Sequence, residues 1–568
     1  MVKIKIDNKS IEVPEGTTIL EAAAGAGIKI PTLCYLKERN EIGACRVCAV
    51  EVEGGGRLCA ACNTPAEDGM TIYTNSPRAR EARRANLELI LSEHNNDCTS
   101  CCRNGNCTLQ SLADDLNLPE NPYRKQFAVK EWPRDAFLVR DESRCVKCMR
   151  CINVCDKVQS LGVWDTRGTA ARLTVGVAEG KAIEESCCSL CGQCVTHCPV
   201  GALRARDDTE QVLQALYDPK KTVVVQIAPA VRAAWGEDIG LSRGEATVGR
   251  MVAAARALGA NYVFDTNFTA DLTIMEEGSE LLARLAEKEK HPWPMFTSCC
   301  PGWVSFIKSQ YPELAANLST AKSPQQMFGA ATKTWFARRA GLDPASIFCV
   351  SVMPCMAKKH ESALPGMDSA GTGRDVDAVI TSREFGAMLR ACHVNARELP
   401  EEDFDDILGE SSGAGVIFGA AGGVMEAALR SAYALVTGSN PDPDAFAIVR
   451  GLSGRREAAV EINGTPVRAA VTSGLGNARA LIEDIISGKA AYDFVEIMAC
   501  PGGCVGGGGQ PIRDGEELAG ERAPVLYALD QHAATRFSHE NPSVLKAYEE
   551  FFEHPLSHKS HELLHIKH

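Results

Sequence analysis

Hydrophobic and polar residues alternate from the start of the chain: Lys3-Ile4-Lys5-Ile6-Asp7, a polar pair at Asn8-Lys9, then Ile11-Glu12-Val13. Alternation with a period of two about a short polar break predicts a hairpin with one buried face. Thr18-Ile19-Leu20-Glu21 has the spacing of a capping box and predicts a short helix. Beyond residue 210 the pattern changes. Thr222-Val223-Val224-Val225-Gln226-Ile227 is apolar almost throughout, as a strand covered on both faces must be, and Val376 to Thr381 and Gly415 to Phe418 read the same way. Helical periods at Val248 to Leu258 and Val424 to Tyr433 alternate with these runs and predict an α/β arrangement with a parallel sheet. In such sheets ligands gather in loops past the carboxyl ends of the strands.

At 568 residues the chain exceeds what one core serves and should divide into several domains. No apolar run is long enough to span a bilayer, and the alternating start is unlike a secretion signal, so a cytoplasmic location is expected. The net charge of −13 argues against nucleic acid as a partner. One basic cluster, Arg78, Arg80, Arg83 and Arg84, reads as a solvated helix face, with docking of an acidic ferredoxin as the alternative. Twenty-five cysteines in such a chain indicate metal or redox chemistry in place of disulfides.

Most of these cysteines fall at ligand spacings. Cys34, Cys45, Cys48 and Cys62 resemble a plant-type 2Fe–2S set with a widened first gap; Cys59 competes for the fourth place, and a zinc ribbon would need a second close pair. His94-x3-Cys98-x2-Cys101-x5-Cys107 is a second set, for which a tetrahedral zinc site is the alternative and beside which Cys102 is spare. Cys145-x2-Cys148-x2-Cys151-x3-Cys155 and Cys188-x2-Cys191-x2-Cys194-x3-Cys198-Pro199 are two bacterial ferredoxin runs. In that pattern the fourth cysteine of each run crosses over, so one 4Fe–4S cluster takes Cys145, Cys148, Cys151 and Cys198 and the other Cys188, Cys191, Cys194 and Cys155. Cys187 lies outside the spacing. Four clusters make a wire without saying what it feeds.

Three later motifs address that: Thr297-Ser298-Cys299-Cys300-Pro301-Gly302-Trp303; Met353-Pro354-Cys355 followed by Lys358 and Glu361; and Glu496-x-Met498-Ala499-Cys500 followed by Cys504 and a glycine run. Thiols this far apart can meet only through the fold, and gathered thiolates suit an iron–sulfur centre. With these motifs the chain resembles the iron-only hydrogenases of the large, multi-cluster type, along essentially its whole length. The front half alone also resembles the large iron–sulfur subunit of respiratory NADH dehydrogenases.

The resemblance implies a multidomain α+β and α/β protein: a β-grasp 2Fe–2S ferredoxin-like domain over 1–78, a His/Cys3 4Fe–4S domain over 79–126, a two-cluster bacterial ferredoxin-like domain over 127–209, and a two-lobed catalytic domain with parallel sheets over 210–568, ending in a helical tail like the family's small subunit. It places Cys62 as the fourth 2Fe–2S ligand and His94 on a 4Fe–4S cluster. Cys300, Cys355, Cys500 and Cys504 would hold the 4Fe–4S part of the H-cluster, with Cys504 bridging to a diiron unit that carries CO, CN and azadithiolate ligands. Lys358 would face an anionic cyanide, and Pro229, Ala230, Gln325, Met353, Phe418 and Met498 would line the pocket. Ala230 departs from relatives that have serine there. Protons would pass along Cys299, Glu277, Ser319, Glu280 and Arg284. The helical spacing of Glu277, Glu280 and Arg284 independently puts those three on one face, which a surface salt bridge would also do. Glu361 and Glu496 are expected to orient the motif loops.

The activity implied is reversible reduction of protons to dihydrogen, with ferredoxin or NAD(P)H-oxidising subunits as electron partners and maturation proteins supplying the diiron unit. Competing readings are the hydrogen-reacting subunit of an NAD(P)-linked, electron-bifurcating complex, an electron relay, a sensor, and a non-catalytic iron–sulfur assembly protein; the last would lack Cys299 and Lys358. His561-Glu562-Leu563-Leu564-His565 matches a zinc-protease pattern but lies at the chain end with no domain expected around it. The glycines around 413–423 and 506–509 lack the context of a nucleotide site.

Overall fold

The computed structural model describes every residue except 55–56, 119, 128, 130, 134, 170–171 and 463. The chain divides into two compact units. One comprises Met1–Ser186, Gln193–Arg204 and Ile512–Glu516; the other comprises Cys187–Gly192, Ala205–Pro511 and Glu517–His568.

The first unit opens with the expected hairpin. β1 (Val2–Ile6) pairs antiparallel with β2 (Lys9–Val13), and Asp7 and Asn8 both take positive φ, as a two-residue turn matched to strand twist requires. Helix α1 (Ile19–Gly25) starts at a complete capping box: the Glu21 amide donates to Thr18, and the Glu21 carboxylate accepts from the Thr18 amide. With β3 (Ala49–Val52), β4 (Arg57–Ala60) and β5 (Thr71–Tyr73), the strands form a five-stranded sheet in the order β2-β1-β5-β3-β4, over a core that includes Ile4, Ile6, Ile19, Val50 and Ile72.

The helix Pro77–Ser92 corrects the reading of the arginine cluster. Arg83 is buried and donates to the carbonyls of Ala49 (2.9 Å) and Thr74 (2.6 Å). Arg78 pairs with Glu51 and Arg84 with Glu88. A buried guanidinium needs carbonyl partners, and here it ties the helix to the sheet. No free four-arginine face remains.

The second unit contains two sheets. β6 (Thr222–Ile227), β7 (Tyr262–Asp265), β9 (Ile347–Met353) and β10 (Ala378–Thr381) form an all-parallel sheet in the order β7-β6-β9-β10. Its strands are buried throughout most of their length, which is why they read as unbroken apolar runs. The second sheet joins β8 (Met295–Phe296), β13 (Phe494–Met498), β12 (Thr465–Ser473) and β11 (Arg455–Ile462) in that order, parallel except for the β11–β12 edge hairpin. Helix α2 (Thr266–Ala286) follows β7 directly, capped by Asp265, and is buried over most of its 21 residues.

The third apolar run differs from expectation: residues Gly413–Ile417 form a helix. A four-residue apolar stretch carries too little period to separate a strand from a helix buried on all sides. Its glycines explain the burial. A Cβ on Gly413 would lie 2.3 Å from the Asp530 carboxylate, and one on Gly415 would lie 2.7 Å from the Asn267 carbonyl. No described helix is long and apolar enough to cross a membrane.

Candidate active site and cysteine clusters

In the first unit, Cys34 interacts with Cys45 and Cys48 with Cys62, and Cys62 also feels Cys34 and Cys45. Cys59 lies beside Thr64 and Arg57 and also feels Cys48. Asn40, which sequence reasoning passed over, is fully buried and donates to the carbonyls of Cys34 (2.6 Å) and Cys148 (2.9 Å), fastening two cysteine loops together.

His94 is buried with Nδ1 on the Arg144 carbonyl at 2.9 Å, which leaves Nε2 as its remaining ligand atom. Burial depresses its pKa to about 4, so the ring is neutral as a ligand requires. Arg144 also donates to the Asp97 carbonyl and Ser100, bracing the loop that carries Cys98 and Cys101. The Cys102 thiol neighbours that of Cys101. Gly201 keeps space for both, since a Cβ there would sit 2.4 Å from the Cys101 sulfur. Cys107 lies close to Pro199, its sulfur 3.7 Å from that carbonyl.

Cys145, Cys148, Cys151 and Cys198 line one enclosed cavity, so Cys198 sits with the first ferredoxin run, as the crossed pattern anticipates. Cys155 and Cys194 belong to the same unit; Cys188 and Cys191 belong to the other. Lys147 and Met149 take left-handed φ within the first run, and Leu190 and Gly192 do so at the matching places of the second. For a residue other than glycine this costs about 1 kcal/mol. Such turns aim successive amides at a common point, an arrangement that favours an anionic occupant such as a thiolate-ligated cluster.

In the second unit the three motifs sit where parallel-sheet geometry places ligand loops. Cys299 and Cys300 follow β8, Cys355 follows β9, and Cys500 follows β13. Cys299, Cys300, Cys355 and Cys504 share an apolar cavity of about 70 Å³ with Pro229, Ala230, Gln325, Met353, Lys358, Phe418 and Met498. Cys500 stands outside that lining, its sulfur 3.6 Å from the Cys191 carbonyl.

The 506–509 glycine run is a packing device. A Cβ on Gly507 would approach the Pro354 carbonyl to 2.2 Å, one on Gly509 the Cys355 amide to 2.7 Å, and one on Gly508 the Cys191 carbonyl to 2.5 Å. Only bare backbone lets these cysteine loops close together.

Lys358 donates to the Cys299 carbonyl and to Glu361, both at 3.0 Å. Burial lowers its pKa, but Glu361 and the nearby thiols outweigh that, and the ammonium keeps its charge. Glu361 also accepts from Ser323 and Gln325, and Glu496 accepts from the amides of Gly422 and Met425, so both carboxylates hold loops in place. The Gln325 side-chain oxygen Oε1 is buried without a protein partner at the cavity wall. Soft sulfur donors, one retained cation and one unpartnered polar atom around a dry space fit a mixed iron site with anionic ligands.

Of the five residues expected to carry protons, Glu277, Glu280 and Arg284 lie on α2, Ser319 on the loop beside it and Cys299 after β8. Ser319 donates to Glu280 at 2.8 Å, and Arg284 pairs with Glu280 at 2.5 Å. Burial, then the charge of Glu277, holds the Cys299 thiol well above its ordinary pKa. Glu277 is wholly enclosed and makes no hydrogen bond. Burial, reinforced by Glu280, pushes its carboxyl up to about 8; the nearby Ser319 hydroxyl and Ser298 amide oppose this without reaching bonding geometry. An acid whose folded pKa is raised favours folding most below its ordinary value of 4.5, and that contribution is lost as pH climbs to about 8. Glu277→Gln should therefore match the parent's Tm in acid and exceed it by several degrees above pH 8. Melting curves on the cluster-loaded chain across that range check this; parallel curves would show that Glu277 stays ionised.

Sequence reasoning missed Thr320, whose amide donates to Glu280 (3.0 Å), and Glu276, which accepts from Tyr548 and His565. Partners some 270 positions away leave no local pattern.

Comparison with known proteins places the chain among families. Residues 221–508 match the family model described as iron only hydrogenase large subunit, C-terminal domain, and 516–568 match iron hydrogenase small subunit. Residues 1–77 match a 2Fe-2S iron-sulfur cluster binding domain, 83–122 the NADH-ubiquinone oxidoreductase-G iron-sulfur binding region, and 181–204 a 4Fe-4S binding domain. The chain is 46% identical to the NADP-reducing hydrogenase subunit HndD of Solidesulfovibrio fructosivorans, over 100% of this chain and 98% of the relative. It is 41% identical to iron hydrogenase 1 of Clostridium pasteurianum, over the whole of both chains. Among solved structures, an apo form of the FeFe hydrogenase HydA1 from Chlamydomonas reinhardtii aligns with a TM-score of 0.58 at 43% identity, covering 64% of this chain and 98% of that one.

Proposed function

We propose how this chain, which belongs to the iron-only hydrogenase family and is an FeFe hydrogenase, distributes that chemistry over its residues. Its iron–sulfur binding domains relay electrons to a site for the family's H-cluster. Cys300, Cys355, Cys500 and Cys504 hold the 4Fe–4S part. Lys358 and the Gln325 side chain orient the diiron ligands, while Pro229, Ala230, Met353, Phe418 and Met498 keep water out. When bound, the diiron unit supplies the redox metal and the basic amine where protons and electrons combine.

The chain's own part is to deliver protons singly into a dry space. Arg284 holds Glu280 at the outer end, Ser319 bonds Glu280 and neighbours Glu277, and Cys299 presents its S–H at the cavity wall. A carboxyl with its pKa raised to about 8 keeps a proton to give at neutral pH, as a general acid must. The observation that carries this reading is one cavity lined by Cys299, Cys300, Cys355, Cys504 and Lys358, which come from three distant motifs.

Upstream, Cys34, Cys45, Cys48 and Cys62 hold a 2Fe–2S cluster. Three accessory 4Fe–4S clusters use His94 with Cys98, Cys101 and Cys107; Cys145, Cys148 and Cys151 with Cys198; and Cys188, Cys191 and Cys194 with Cys155. The four domains divide near residues 78, 126 and 209. So many thiols without disulfides suit a cytoplasmic, reducing setting. The electron partner is a redox protein: ferredoxin, or, as for the relative named a subunit of an NADP-reducing hydrogenase, a partner subunit.

Anaerobic maturation with the diiron unit, followed by hydrogen evolution from reduced methyl viologen, tests the assignment. Rapid evolution is expected. None from protein with its clusters and diiron unit verified would overturn the site reading.

A further inference from the structure

The C-terminal His-Glu-x-x-His segment is not the isolated tail expected above. Helix His558–Leu564 leads into His565, which is buried. Its Nε2 lies 3.0 Å from Glu276 on α2, and its Nδ1 lies 2.8 Å from the Thr320 hydroxyl. A carboxylate can only accept, so Nε2 donates to Glu276, and in the neutral ring Nδ1 then accepts from the Thr320 hydroxyl. Glu276 is anchored in turn by the Tyr548 hydroxyl (2.6 Å) and the Leu556 amide (2.8 Å). Around this contact the main chain pairs like a short strand: the Lys322 amide donates to Leu564, and the Ile566 amide to Thr320, both at 2.8 Å.

The loop held in this way carries the outer half of the proton path. Thr320 offers its amide to Glu280, Ser319 offers its hydroxyl to the same carboxylate, and the Ala321 carbonyl accepts from Ser298, the neighbour of Cys299.

We infer that Glu276, His565 and Thr320 form a positioning clamp, through which the C-terminal segment holds the 319–322 loop in the geometry that lets Ser319 and Glu280 pass protons. His565 does not itself carry the proton, because Thr320 meets Glu280 through its amide and not its hydroxyl. The inference rests on the proton path proposed above. It gives the segment matching the small-subunit model a role in turnover, through the alignment of donors and acceptors. Misplacement of a reacting group by about 1 Å can cost up to a hundredfold in rate.

The test uses the full chain, matured and normalised to iron content. Four variants are compared: His565→Ala; Thr320→Val, which keeps the amide and the β-branched shape; Glu550→Ala, which removes contacts of the same segment to Trp335 and Arg339 away from the clamp; and Glu280→Gln. Turnover with reduced methyl viologen, its solvent isotope effect, and amide exchange at 319–322 before diiron loading are the readouts. His565→Ala and Thr320→Val should lower turnover about tenfold, raise the isotope effect and speed exchange in that loop. Glu550→Ala should leave turnover unchanged. Should His565→Ala fail to fold, Thr320→Val alone decides.

Parental turnover in His565→Ala or Thr320→Val while Glu280→Gln collapses would overturn the clamp and leave the path standing. An equal loss in Glu550→Ala would also overturn it, showing general loosening. Full turnover in Glu280→Gln would sink the path, and the clamp with it.

Discussion

Hydrogen evolution by Cys299→Ala is expected to fall about a thousandfold, with the diiron unit still bound. The cavity wall that Cys299 shares with Met353, Phe418 and Met498 is apolar, and its nearest titratable neighbour along the path, Glu277, is wholly enclosed. Removing the thiol leaves no exchangeable proton on that side chain, while the cysteines assigned to the cluster stay untouched. The measurement is hydrogen evolved per diiron unit, beside infrared spectra of the CO and CN ligands. Unchanged bands with collapsed turnover would locate the loss in proton supply. A variant as fast as the parent would show that protons reach the cavity by another way.

Gly508→Val should cost the chain its active-site iron. The new Cβ would meet the Cys191 carbonyl at 2.5 Å and the Gly192 Cα at 2.5 Å, and both are main-chain atoms unable to swing aside. Close-packed interiors answer such overlap by moving backbone. The backbone available to move carries Cys191 on one side and the Pro354–Cys355 turn, packed on Gly507 and Gly509, on the other. Iron per chain should drop by at least the content of one 4Fe–4S cluster, and diiron loading should fail. Gly244→Ala, with open space around it and ordinary φ, serves as the control and should stay within about 0.5 kcal/mol of the parent. Full iron content in Gly508→Val would mean that the loops can close by another route.

The all-parallel sheet was legible because strands buried on both faces have no other way to be written, and the loops past them were legible because cysteines cannot be mistaken for turn residues. Residues Gly413–Ile417 misled because a short helix buried all round has the same composition as a short buried strand. Arg83 misled because spacing assigns an arginine to a helix face without revealing that two carbonyls wait beneath that face. The cysteine spacings located the sulfur atoms but not the groups that hold them: Asn40, Arg144 and Thr320 act through backbone carbonyls and amides, which every sequence possesses. His565 was visible only as half of a metal-binding pattern. Glu426, Asp444 and Asp530 bring three carboxylates within 4.8 Å of one another, but Arg430, Arg450 and Arg536 already neutralise them.

Glu276 and Glu277 are consecutive on α2, and successive positions on an α-helix point about 100° apart. One carboxylate faces Tyr548 and His565; the next lies toward Cys299. Deleting a single residue upstream within the helix, between Phe268 and Thr273, would turn everything after it by that angle and set Glu277 in the place of Glu276 and Gly278 in the place of Glu277. Side chains along α2 can be substituted one at a time, but its length cannot change by one. What descendants of this chain must preserve is the phase of a helix, which no single residue encodes.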